Sequence, residues 1–225
     1  MIKNRIFALS FRCAAFLICL FGILLNTGVF QSKFYGVILL YYTVQSNILA
    51  LILFGALIFK TAMSLKNKGV KGNSGFFPQI SSGVTVCIMF TFVVFWCVLA
   101  PFASEEDRAF IMTYNNLSVH CIAPLLTLAD YVMFSEGGKL KKKDPFIFAS
   151  VPVIYLLITL IIGFSGAVVY QIPGFERSGS FPYFFLDYYA VGLWIFLYIA
   201  GLTLFYIGMG YLMLLIDGKR KKPPA

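Results

Sequence analysis

The chain carries a single histidine, His120, in the middle of an apolar stretch of membrane length, and a second apolar stretch holds Thr43 among unusually polar neighbours. An ionisable side chain inside a bilayer is costly and usually functional. An imidazole beside a hydroxyl is a base beside a nucleophile, the pair that covalent acyl transfer requires. Around Thr43 the sequence reads Tyr42, Thr43, Val44, Gln45, Ser46, Asn47, and the spacing i, i+3, i+4 puts Thr43, Ser46 and Asn47 on one helix face. Asn116 and His120, four apart, share a face of another helix. Polar stripes in lipid must find partners within the protein, so the two are expected to face each other. Asn47 and Asn116 would then lie one turn from Thr43 and His120, where an amide N–H can stabilise a tetrahedral oxyanion or, alternatively, orient His120. Ser46 is a third candidate for substrate or oxyanion contact. The plainer alternative is interhelical packing, in which such hydrogen bonds contribute about 0.6 kcal/mol on average.

These residues need elements to position them. The 225-residue chain is 60% hydrophobic and 18% aromatic with only 12% charged residues, and its mean hydropathy of +0.87 lies far outside soluble globular usage. An all-α, polytopic membrane protein is predicted, one bundle of six transmembrane helices over about 6–30, 35–65, 81–103, 111–134, 148–170 and 188–216. The first stretch has no A-x-A cleavage pattern and is read as a helix rather than a leader. The connections are too short for a soluble domain, and no internal repeat suggests an inverted-repeat transporter.

Charge sets the expected orientation. Of the 18 Lys and Arg, an even number of spans puts 15 on the side of both termini and leaves Lys33, Arg108 and Arg177 opposite. By the positive-inside rule both termini are expected to be cytoplasmic. The net charge of +9 is thus a topology signal rather than a nucleic-acid surface, and the basic runs at 139–143 and 219–222 are suited to membrane lipid headgroups. No nucleic-acid partner is expected, and the composition carries no signal for an oligomeric state.

Counting 1.5 Å per residue from Tyr35 and Ile111, the ends of their spans on the side away from the termini, Thr43 lies at a depth of roughly 12 Å and His120 at roughly 14 Å. Pro124 has no N–H for the carbonyl four residues back, which is that of His120, so a freed and kinked backbone is expected there. Arg12 and Asp130 fall near the cytoplasmic ends of their spans and should form an ion pair that fixes helix packing. The segment from Ile172 to Asp187, ending Phe181, Pro182, Tyr183, Phe184, Phe185, Leu186, Asp187, suits either an interfacial anchor or a lid. The loop from Lys66 to Pro78 reads as a flexible connector.

Other patterns carry less. Cys13, Cys19, Cys87, Cys97 and Cys121 show no paired spacing and read as buried hydrophobes. Gly163, Phe164, Ser165, Gly166 spells the GxSG of rhomboid-type proteases, but the serine follows the histidine here and lies shallower, so a packing face is expected. Glu105, Glu106, Asp107 and Arg108 read as a solvated loop. With one histidine and no HExxH, no metal and no cofactor are expected.

Three separated patches carry a family resemblance: Tyr42 to Asn47, His120 with Pro124 and Asp130, and Pro182 to Asp187. The chain resembles the androgen-induced gene 1 and androgen-dependent TFPI-regulating proteins and their bacterial six-span relatives. The resemblance implies a threonine-dependent intramembrane hydrolase, whose animal members cleave fatty acid esters of hydroxy fatty acids with one Thr and one His. These fall on Thr43 and His120. The expected function is therefore hydrolysis of a lipid ester, in a bacterial cytoplasmic membrane. A lipid or proton-coupled transporter and a non-enzymatic membrane partner protein are the alternatives.

Overall fold

The computed structural model describes residues 1–31, 34–103, 108–109, 111–171 and 178–220. Lys33, Glu105, Glu106, Asp107, the stretch 172–177 with Arg177, and Lys221 and Lys222 lie outside the described residues. Among the described residues six helices are long and apolar enough to cross a membrane: α1 (Arg5–Asn26), α2 (Tyr42–Lys68), α3 (Pro78–Leu99), α4 (Tyr114–Phe134), α5 (Asp144–Ser165) and α6 (Trp194–Lys219). The protein is an all-α integral membrane protein, with one two-residue antiparallel pair, β1 (Tyr170–Gln171) and β2 (Ser178–Gly179), in the connection between α5 and α6.

Local chemistry sets the ends. The Asn4 side chain accepts from the N–H groups of Ile6 and Phe7 to start α1, Pro78 opens α3, and Gly166 closes α5 at φ 64°. The second span differs from expectation. Gly36–Leu40 forms a 3-10 turn, and α2 starts only at Tyr42. Apolar composition allowed one continuous helix from residue 35, but the chain is extended at Tyr41 (φ −78°, ψ 138°).

Helices α1, α2, α3 and α4 meet over Ala15, Cys19, Ala50, Phe54, Ile88 and Ala123. A second cluster, Val86, Tyr131, Phe148, Ala149, Tyr206 and Met213, joins α3 and α4 to α5 and α6. Large apolar side chains such as Leu17, Ile52, Ile161 and Leu204 face outward, as a bundle in lipid requires.

The first helix starts and the last helix ends on the same side of the bundle. Ile2 N–H donates to the Met133 carbonyl, and Arg220 donates to Val132 and Ser135 carbonyls. Arg12 is fully buried there and pairs with both oxygens of Asp130, Nε–Oδ1 at 2.7 Å and Nη2–Oδ2 at 3.2 Å. Its other arm donates to Thr61 Oγ1 and the Ser74 carbonyl. The connection between α2 and α3, read from its turn residues as a loose link, is thus pinned. Arg5 adds contacts to the carbonyls of Lys68, Gly69, Lys71 and Asn73. Glycine content marks a turn, but the arginines that hold it come from a distant helix.

Candidate functional site

The late start of α2 sets the position of Thr43. The first bond of the helix runs from Gln45 N–H to the Tyr41 carbonyl at 3.1 Å, and Tyr41 provides no side-chain cap. The N–H groups of Tyr42, Thr43 and Val44 are therefore the donors that a helix leaves open, at its positive end. Thr43 sits in this first turn rather than eight residues into a helix. Its carbonyl is held by two side chains of the following turn, Ser46 Oγ at 2.9 Å and Asn47 Nδ2 at 2.8 Å.

Helix α4 is interrupted at the histidine. Ser118–Ile122 is a π-helical turn in which the Ala123 N–H donates to the Ser118 carbonyl. With Ala123 so engaged and Pro124 lacking an N–H, the Val119 carbonyl has no backbone donor four or five residues on. Asn47 Nδ2 supplies one at 3.0 Å. The His120 carbonyl, also deprived by Pro124, accepts from Trp96 Nε1 at 3.1 Å. Two side chains from neighbouring helices thus replace what one proline removes, and they hold a π-turn of the kind that often marks functional sites. Gly22 of α1 allows close approach at this point, since a Cβ there would lie 2.8 Å from Ser118 Oγ.

A second π-turn, Phe95–Leu99 in α3, lies opposite and is likewise followed by Ala-Pro. It presents Phe95, whose ring stacks on the imidazole with centroids 3.9 Å apart and planes inclined by 27°. His120 is then fixed at both nitrogens. Nδ1 lies 3.2 Å from the Asn116 carbonyl, and Nε2 lies 3.1 Å from Thr43 Oγ1. A carbonyl only accepts, so Nδ1 carries the proton and Nε2 presents its lone pair to the threonine hydroxyl. A backbone carbonyl thus fills the orienting position that a carboxylate holds in a triad.

Two cavities share Thr43, Phe95, Leu99 and Tyr183 in their walls. One, of about 90 Å³, extends between α3, α5 and α6 along apolar residues that include Val153, Leu156, Ile199 and Leu202. The other, of about 270 Å³, adds polar groups from Asn26, Asn116 and His120. The larger alone approaches the lower end of the roughly 300–1,000 Å³ of small-molecule sites.

The aromatic connection before α6 closes over both. Phe181, Phe185 and Leu186 are buried, and Phe181 occupies a seat at Gly163, where any Cβ would meet its ring. The described part of this segment, from Ser178 on, packs into the bundle over the two cavities, in the place of a lid. Gly163 of the GxSG sequence serves that packing, and Ser165 is exposed with its hydroxyl on the Ile162 carbonyl. Tyr183 lines both cavities. Its phenol lies near the Thr43 hydroxyl, the backbone of Tyr42 and Thr43, and Tyr155. Burial pushes it above the ordinary tyrosine value despite these stabilising contacts.

Of the residues singled out by sequence, Thr43 and His120 meet, and Asn116 lines the larger cavity with its amide donating to the Ile111 carbonyl at 2.9 Å. Asn47 does not serve as pictured. It lines neither cavity, and its Nδ2 is engaged by the Thr43 and Val119 carbonyls. Ser46 turns the other way, to Thr91 Oγ1 at 2.9 Å. Both are engaged within the bundle, on the Thr43 and Val119 carbonyls and on Thr91, and neither lines a cavity. Arg12 and Asp130 lie in the separate cluster at the basic end. Sequence reasoning missed Trp96, Phe95 and Tyr183. The repeated Ala-Pro after two apolar runs was a usable signal for the first two, whereas Tyr183 is one of many aromatics in its segment. Among the described residues no group of three or more His, Cys, Asp or Glu could hold a metal ion. No protein-family model, curated protein or solved structure matches the chain.

Proposed function

We propose that the protein is an intramembrane hydrolase of lipid esters, with Thr43 as nucleophile and His120 as general base. The observation that carries the reading is the 3.1 Å contact from Thr43 Oγ1 to His120 Nε2, between two cavities and within a bundle of apolar helices. His120 Nε2 takes the hydroxyl proton as Thr43 attacks the ester carbonyl, then returns it to the departing alkoxide. Water attacks the acyl-threonine with His120 again as base, which releases the acid.

The two cavities suit an ester with an arm on either side of Thr43. The narrow apolar one favours an alkyl chain, each buried CH₂ contributing about 0.8 kcal/mol. The wider one, with Asn26, Asn116 and His120, suits the more polar arm. The resemblance to the androgen-induced gene 1 and androgen-dependent TFPI-regulating proteins supports the same assignment. The basic end, with Lys139, Lys141, Lys142, Lys143 and Lys219, is read as cytoplasmic under the positive-inside rule. The site then lies towards the outer half of a bacterial cytoplasmic membrane.

The test is turnover of long-chain esters by purified protein in lipid nanodiscs. Wild type is expected to release the acid, and Thr43→Ala and His120→Ala to lose at least about 10³-fold in kcat. Equal turnover by the three proteins would end the proposal.

A further inference from the structure

The lid residue Tyr183 stands in front of the nucleophile with a hydroxyl that the dyad does not use. It lines both cavities together with Thr43, and its phenol lies near Thr43 Oγ1 and the backbone at the open start of α2. The ring is held firmly. It stacks on Phe185 with centroids 5.2 Å apart and planes inclined by 2°, and it meets Tyr41 edge-on at 5.8 Å. Behind it Phe181 is seated at Gly163. The competing donors are committed elsewhere: Asn47 to two carbonyls, Asn116 to Ile111, and the Tyr155 hydroxyl to the Leu40 carbonyl at 3.2 Å.

We propose that Tyr183 is the oxyanion donor of this site, its O–H and the backbone N–H of Thr43 flanking the carbonyl oxygen of the substrate. The assignment rests on the hydrolase reading above. As the Thr43 Oγ1 to carbonyl carbon bond forms, the hydroxyl proton passes to His120 Nε2 and the carbonyl π pair moves onto oxygen. Tyr183 donates a hydrogen bond to that oxygen and keeps its own proton. Collapse of the intermediate restores the C=O and breaks the bond to the alcohol oxygen, which leaves with the proton from Nε2. A phenol held neutral by burial suits the role, because an anion there would repel the developing charge. The donor then comes from the lid, so the catalytic set is complete only when the lid is seated.

Tyr183→Phe removes the hydroxyl and keeps the stacked ring, so the fold should be retained. In nanodiscs the variant is expected to lose about 10²- to 10³-fold in kcat, with KM within a few-fold and an unchanged melting temperature. A long-chain trifluoromethyl ketone, which adds to Thr43 and carries the oxyanion, should bind more weakly by the same factor as kcat/KM falls. A non-hydrolysable ether analogue of the ester should bind as before. Tyr198→Phe, at the far side of the lid's aromatic cluster, should behave as wild type. Wild-type or raised kcat in Tyr183→Phe, with Thr43→Ala inactive, would overturn the oxyanion assignment and leave the dyad standing. Full activity in Thr43→Ala would remove both.

Discussion

Asn47→Leu tests whether the irregular turn around His120 is held from α2. The substitution nearly conserves volume and removes two hydrogen bonds, to the Thr43 carbonyl at 2.8 Å and to the Val119 carbonyl at 3.0 Å. Their costs differ. The Thr43 carbonyl keeps Ser46 Oγ at 2.9 Å and the bond lies within α2, so its loss should not exceed the average for side-chain bonds between helices in membranes, about 0.6 kcal/mol. The Val119 carbonyl keeps nothing, since the Ala123 N–H serves Ser118 and Pro124 has none. Its loss should approach the upper end of the same series, about 1.7 kcal/mol. The total is about 2 kcal/mol, and at about 2–4 °C per kcal/mol for a chain of this length the melting temperature should fall by about 4–8 °C. Thermal unfolding in detergent measures it. Because the turn also carries His120, kcat should fall at temperatures where the variant is folded, although Asn47 touches neither cavity. A melting temperature and kcat equal to wild type would refute the claim that α2 supports the turn.

Trp96→Phe removes the donor to the His120 carbonyl and should cost about 1 kcal/mol, seen as a melting shift of a few degrees with a drop in kcat. Asp130→Ala leaves Arg12 charged and fully buried and should cost about 3–5 kcal/mol, whereas Arg12→Met combined with Asp130→Leu should recover most of that loss in the same melting assay. Gly163→Val places a side chain where the Phe181 ring sits. It should lift the lid, lower stability by about 1–3 kcal/mol and reduce ester turnover more than Gly208→Val, at a position with open space around it.

The parts of the site legible in the sequence were those whose cost in lipid has few remedies. A histidine in an apolar helix needs a partner, and the hydroxyl chosen by depth alone is the one found at 3.1 Å. Residues 36–40 nevertheless form a 3-10 turn and not the first turns of α2. A 3-10 turn rises about 2 Å per residue against 1.5 Å, a difference too small over five residues to separate the two groups. Pro124 announced a freed carbonyl at His120, but its lack of an N–H could not name Trp96 as the substitute donor, nor show that a π-turn frees Val119 as well. Asn47 illustrates the same limit: residue type and helical face suggested a donor for substrate, and tertiary packing gave that donor to the backbone. Tyr183 was invisible as an individual because an aromatic run satisfies a membrane interface and a lid equally well by composition.

The most direct measurement is the position of a covalent adduct. Purified protein in nanodiscs would be treated with a long-chain fluorophosphonate, digested and read by mass spectrometry. One modified residue is expected, Thr43, with the adduct absent from Thr43→Ala and strongly reduced in His120→Ala. An adduct on Ser165 or Ser118 in the wild-type protein, or equal labelling of all three proteins, would contradict it.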